Sequence, residues 1–276
     1  MSNFGVTDVP IDEMGALVSG AHPDPFRILG PHRVADDLVV RVFRPDAKEV
    51  RIIDDGGQVP ADRLHADGFF EAVLPGRARD CDYNVQIVGR DGSEATIRDP
   101  YCYGTFMGEV DLHLFSEGNH WQIYDKLGAH LRRVGEIDGC YFAVWAPNAQ
   151  RVSVVGDFNG WDGRVNPMRK LLGNGVWELF LPGVREGAHY KFEIRTPAGH
   201  LLLKADPFAL FSQWGKETSS LVFNLDRYTW SDDAWLEKRR ATDWQKAAVS
   251  VYEVHLGSWQ RRTEEGNRHL SYLELA

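Results

Sequence analysis

The hydrophobic positions of this chain recur mostly with a period of two. From Asp82 to Val88, Tyr83, Val85 and Ile87 alternate with Asn84 and Gln86, and from Tyr190 to Arg195, Tyr190, Phe192 and Ile194 alternate with Lys191, Glu193 and Arg195. Such alternation predicts strands with one face in a core. Tyr141 to Ala146 and Arg151 to Val155 are β-branched and aromatic runs separated by Pro147-Asn148-Ala149, which reads as two strands joined by a turn. Many short strands with Gly and Pro turns between them predict a β-sandwich, and no Cys-Trp-Cys pattern marks an antibody-type domain. Helical spacing is rarer. Ile11, Met14, Leu17 and Val18 behind Pro10 predict a short helix ended by Gly20. Tyr124, Leu127, Leu131 and Val134 predict another within 119–134, cut short by Gly128. Ser231 is placed to cap a third, with Asp232 and Asp233 in its first turn and Lys238, Arg239 and Arg240 in its last. Val249, Val251, Tyr252 and Val254 then predict a strand buried on both faces, and Ser271 to Ala276 the start of a helix.

The strand pattern occurs twice. Val42-Phe43-Arg44-Pro45-Asp46-Ala47 matches Val144-Trp145-Ala146-Pro147-Asn148-Ala149 at an offset of 102 (147 minus 45). Gly68 to Gly76 matches Gly175 to Gly183 at 107 (182 minus 75 for the prolines), and Tyr83 with Tyr190 and Asp99-Pro100 with Asp206-Pro207 keep that offset. About five residues are therefore inserted in the second copy. They fall at Gly156 to Gly163, where Phe158 and Trp161 stand among Asp157, Asn159 and Asp162; the first copy has only Asp54-Asp55-Gly56-Gly57 there.

Composition narrows the partners. A net charge of −9 and a pI near 5.6 disfavour nucleic acid and anionic membranes, which require a basic face. Cys81, Cys102 and Cys140 are odd in number and lack C-x-x-C spacing, so neither a disulfide framework nor a zinc site is suggested. His22, Asp24 and His32 sit in a proline-rich turn and read as surface turn chemistry, not metal ligands. The first 26 residues lack a signal-peptide pattern and nowhere do 18 apolar residues run together, so a cytoplasmic protein is expected.

Four motifs carry a family resemblance: His22-Pro-Asp-Pro-Phe with Leu29-Gly30 and His32; Gly156-Asp-Phe-Asn-Gly-Trp161; Lys204-Ala-Asp-Pro-Phe208; and Tyr252-Glu-Val-His-Leu-Gly-Ser-Trp259. Together they resemble the N-terminal portion of glycogen (1,4-α-glucan) branching enzymes of the family 13 α-amylase superfamily. The second motif alone is also similar to family 48 carbohydrate-binding modules of debranching enzymes and kinase subunits. The resemblance implies a mainly β chain: an N-terminal β-sandwich at 1–105, a connector at 106–135, a family 48-like immunoglobulin-like sandwich at 136–228, and at 229–276 a linker helix with the first strand of a truncated (β/α)8 barrel. It implies an activity that cuts an α-1,4 linkage, holds the glucan covalently and transfers it to a 6-hydroxyl. Such retaining chemistry requires two carboxyl groups, which in the family lie on later barrel strands, so no catalytic residue is assigned here. No cofactor or metal is implied, the partner is an α-1,4-glucan, and the whole enzyme is expected to be a monomer. Alternatives are a stand-alone glucan-binding protein or a fragment of a debranching or trehalose-releasing relative; the Tyr252 to Trp259 wording favours the branching family.

Trp161, Lys191 and Asn159 are the candidate glucan-binding residues. Trp161 lies in the insertion that the first copy lacks, and Lys191 stands on the polar face of its strand. Trp177 and Trp145, matched by Phe70 and Phe43, are expected in the core. Related modules often have a second tryptophan after the Lys191 strand, where this chain has Ala198-Gly199-His200, which implies weaker binding.

Overall fold

The computed structural model describes residues 9–77, 82–171 and 173–276, so Cys81 lies outside it. Contacts divide the chain into two units, Met1–Leu225 and Asp226–Ala276.

In the first unit, helix α1 (Ile11–Val18) precedes a sandwich of eight strands: β1 (Gly30–Val34), β2 (Asp37–Phe43), β3 (Ala47–Asp54), β4 (Gly57–Pro60), β5 (Asp62–His65), β6 (Phe69–Leu74), β7 (Asn84–Gly89) and β8 (Glu94–Arg98). One sheet has the order β1-β2-β6-β5 and the other β4-β3-β7-β8. Alternation sets the core: Leu38, Val40, Phe70, Ala72 and Leu74 of one sheet face Val50, Ile52, Val85 and Ile87 of the other. Each of these side chains other than Ala72 contributes about 1.5–3 kcal/mol when fully buried.

Helix α2 (Glu109–Ser116) leads into the second sandwich: β9 (Gly128–Val134), β10 (Ile137–Trp145), β11 (Arg151–Gly156), β12 (Arg169–Lys170), β13 (Val176–Pro182), β14 (His189–Arg195), β15 (Leu201–Lys204), β16 (Phe211–Ser212) and β17 (Ser220–Leu221). Its sheets run β12-β13-β10-β9 and β11-β14-β17-β16, with β15 also on β14. Cys140, Phe142, Val144, Trp177 and Leu179 face Val152, Val154, Tyr190 and Phe192 across its core. The same cluster takes in Leu17, Ile28, Leu29, Phe43 and Phe69, so the outer face of β2 and β6 is sealed by α1 and the second sandwich.

Two expectations fail here. Residues 119–134 form no helix: a 3-10 turn at Ile123–Asp125 gives way to β9, because Gly128 (φ 106°) directs the chain into the sheet. Its partner is β1. Leu29-Gly30-Pro31-His32 and Leu127-Gly128-Ala129-His130 match at an offset of 98 (128 minus 30), and in each the imidazole Nε2 donates to the leucine carbonyl, at 3.1 and 2.9 Å. Trp145 is the second failure. Phe43 is 4% exposed and Trp145 55%, since the outer face of β10 is covered only partly, by α2.

Each sandwich is closed by one device. Tyr83 donates to Asp99, and Tyr190 to Asp206, both at 2.6 Å. The second carboxylate oxygen accepts the amide of Tyr101 or Phe208, at 2.9 and 2.8 Å. Gly30 (φ 88°) and Gly128 (φ 106°) let these turns approach: a Cβ on either would lie 2.9 Å from the carbonyl oxygen of Tyr101 or Phe208.

In the second unit, α3 (Asp233–Ala241) begins one residue later than the Ser231 cap predicts, with Asp232 at the cap and no side-chain capping bond. Ala247 to His255 carry no strand, a departure from the expected barrel strand. A parallel barrel strand needs ladder partners on both edges, and β18 (Arg261–Arg262) pairs only with β19 (Arg268–His269). Short helices α4 (Leu256–Trp259) and α5 (Tyr272–Leu275) complete the unit, and Ser271 caps α5 by accepting the Glu274 amide.

Candidate carbohydrate-binding site

The inserted loop is built from β11 outward. A 3-10 turn, Asp157–Asn159, is followed by Gly160 and Trp161 at φ 61° and 62°. Phe158 packs inward, 6.1 Å from the Phe142 ring, and fixes the loop to the core. The Trp161 amide donates to the Gly156 carbonyl at 3.0 Å, closing the turn. The loop then returns along β11, where Val154 donates to Asn166 and Met168 donates to Val152. Ser153 and Val155, outward in the strand's alternation, are thereby buried.

That scaffold leaves Trp161 37% exposed, with its indole Nε1 donating to Asp157 Oδ1 at 3.1 Å. The other oxygen of Asp157 lies 3.1 Å from His189 Nδ1. His189 and Lys191 are two residues apart on β14 and so share the outer face. Lys191 Nζ donates to Thr218 Oγ1 at 2.8 Å. The structure thus brings Trp161 and Lys191 to the same sheet face through Asp157 and His189. Neither Asp157 nor His189 was singled out from sequence, although a carboxylate four residues before a loop tryptophan is a usable signal for a fixed indole. Asn159 is turned inward: its Oδ1 accepts the Gly156 amide, and its amide group donates to Val154 O and Asn166 Oδ1, all at 2.9 Å.

Charge is balanced beside the site. Burial acts to raise the Asp162 carboxyl, but the Arg164 guanidinium bound to it outweighs this and holds it below the usual range. Gly163 leaves room for the Glu193 carboxylate, which Arg151 binds.

The opening motif serves packing. His22 Nδ1 accepts the Asp24 amide and Asp24 accepts that of Phe26. Phe26 lies between Tyr101, at 5.1 Å, and the Arg169 guanidinium, at 3.7 Å.

Residues 126–209 match the family described as carbohydrate-binding module 48 (isoamylase N-terminal domain), and residues 11–101 match the N-terminal domain of the alpha-1,4-glucan branching enzyme GlgB. Over 264 residues the chain is 48% identical to the 1,4-alpha-glucan branching enzyme GlgB of Rubrobacter xylanophilus, covering 95% of this chain and 36% of that protein. With the protein of the same description from Paramagnetospirillum magneticum the identity is 46% over 262 residues, 95% and 35% of the two. The chain matches the N-terminal part of glycogen-branching enzymes. It spans about a third of the length of these relatives. The eight strands of the first sandwich fall within residues 11–101, those of the second except β16 and β17 within residues 126–209, and the Trp161 loop lies inside the module 48 match. Among the described residues no helix is long and apolar enough to cross a membrane.

Proposed function

We propose that this chain is the glucan-binding and scaffolding portion of a cytoplasmic glycogen-branching enzyme, which transfers an α-1,4-glucan segment to a 6-hydroxyl. Residues 136–228 hold the glucan and residues 1–105 brace them. The chain alone has no branching activity, because the paired carboxyl groups that retaining transfer needs are assigned to later barrel strands. The observation that carries the reading is the Trp161 indole, partly exposed and fixed by Asp157 on a loop present in only one of two copies. An indole face takes the apolar face of a glucose ring while its edge stays polar. Lys191 donates to a sugar hydroxyl from the same face, and Asn159 holds the loop in shape.

One ring with a few exposed hydrogen bonds gives a dissociation constant on the order of 1 mM. In affinity electrophoresis through glycogen, Trp161→Ala loses most of the parent's retardation and Lys191→Ala a smaller part. A Trp161→Ala chain that is folded and retarded like the parent refutes the site.

A further inference from the structure

Trp145 is more exposed than Trp161, yet it is held at least as firmly. Its Nε1 donates to the Asn174 carbonyl at 3.0 Å, and its ring meets Phe115 of α2 at 6.2 Å and 74°. Asn174 is itself clamped, its side-chain amide donating to Leu112 O at 2.8 Å and to Ser116 Oγ. An exposed tryptophan on a strand end usually gives up part of its freedom only for packing. Here the indole edge and the carbonyl it binds are tied to the helix behind them while the residue stays exposed.

The register places Trp145 beside Val176 on the outer face of the β12-β13-β10-β9 sheet, whereas the Trp161 loop belongs to the β11-β14-β17-β16 sheet. The two indoles therefore serve opposite sheets. A protein-docking surface would be a contiguous apolar patch. At Trp145 the structure shows the Phe115 ring on one side and the Asn174 carbonyl on the indole edge, with Asn174 in turn bonded to Ser116, so the open ring is bordered by polar groups on the Asn174 side and among the described residues no contiguous apolar patch is built around it.

We propose that Trp145 is a second α-glucan platform, on the opposite sheet from Trp161, so that one module engages two glucan strands. The inference rests on the glucan-binding reading above. Two platforms on one module raise the effective concentration of a branched ligand at each, so a highly branched glucan is retained more than a linear one of equal mass.

The indole Nε1–H resonances test this, with Trp145→Phe and Trp161→Phe assigning the two signals. Titration with maltoheptaose is expected to shift both, and the Trp145 signal still shifts in Trp161→Ala. Trp145→Ala weakens retardation in glycogen about threefold, with Trp145→Phe weakening it less and reporting that β10 is intact. If Trp161 shifts and Trp145 does not, the second platform is refuted and the first stands. If neither shifts, the glucan reading fails and takes this one with it. Broadening of the Trp145 signal with protein concentration alone would identify a second copy of the chain as the occupant and overturn the proposal.

Discussion

The two sandwiches share a strand plan and a closing tyrosine, and they differ in what lies on their outer faces. Glu71 and Glu178 occupy the same position of the repeat, 107 residues apart, and both are buried. Glu71 meets Arg41 across the β2–β6 ladder at 2.9 Å, and its Oε1 has no hydrogen-bond partner among the described residues. Glu178 accepts the amides of Phe106 and Met107, both at 3.2 Å, and the Tyr141 hydroxyl at 2.9 Å, with Arg169 at 3.3 Å. Phe43 is sealed while Trp145 is open, and a tight Asp54 to Gly57 hairpin stands where the Trp161 loop emerges. The first copy therefore spends its outer surface on packing. The second ties a covering segment to its sheet through one carboxylate and leaves two indoles facing water.

Removing that carboxylate should have the largest effect. Glu178→Leu strands two amides, a hydroxyl and a guanidinium, and is expected to lose about 3–5 kcal/mol in urea unfolding. Glu71→Leu is expected to lose less, since one of its oxygens is already unpaired; equal losses would erase the distinction between the copies.

The closing pairs give an intermediate effect. Burial pushes Asp99 up to about 6 from 3.8, against the lowering influence of the Tyr83 and Tyr101 hydrogen bonds. The folded state then holds this proton more tightly than the unfolded state, so stability is greatest below the unfolded value and is lost as pH rises through about 6. Between pH 4.5 and 7.5 the parent's stability relative to Asp99→Asn should fall by about 2 kcal/mol. A difference independent of pH would mean that the carboxyl titrates normally. Asp206 is raised for the same reason, so Asp206→Asn should show the same sign.

The smallest effect isolates the loop. Trp161 holds a left-handed φ of 62°, a conformation costing a bulky residue about 1–2 kcal/mol. Trp161→Gly should thus remove most of the retardation in glycogen while leaving stability unchanged or up to about 1 kcal/mol higher. A large loss of stability would show that the indole holds the loop to the sandwich, as nothing in the first copy does.

Much of this plan was legible from sequence because burial on one face imposes alternation. Tyr83, Val85 and Ile87, and Tyr190 and Phe192, are inward as their pattern requires, and Trp177 is buried with Nε1 donating to Ala146 O at 2.9 Å. What covers an outer face leaves no such trace. Phe43 and Trp145 occupy matching positions with opposite exposure because α1 and the second sandwich seal only the first. The β9 strand was hidden by length. Its hairpin with β10 pairs Val134 with Ile137 and the earlier one pairs Val34 with Asp37 over equally short turns, but the later arms are longer by two residues each, which moves the offset from 98 to 102. Helix α2 escaped notice because its apolar residues Val110, Leu112 and Phe115 lack a clear helical spacing, and Val110 is exposed. Asn159 looked like a ligand group because the sequence does not reveal that its amide is consumed by Gly156, Val154 and Asn166.

The contact of Gly30 with Tyr101 means that the first sandwich receives its chain and releases it at almost the same point, whereas the second, where Gly128 meets Phe208, runs on through β16 and β17. A unit whose ends touch can be copied into a polypeptide without pushing its neighbours apart. Duplication of such a unit costs little in geometry, and once a spare copy exists, one can keep the packing while the other acquires a loop and exposed rings. That closure makes the first sandwich suited to circular permutation: a short linker from about Tyr101 back to Gly30, with new ends at the exposed Gly92 turn, asks of the backbone only a span it already makes.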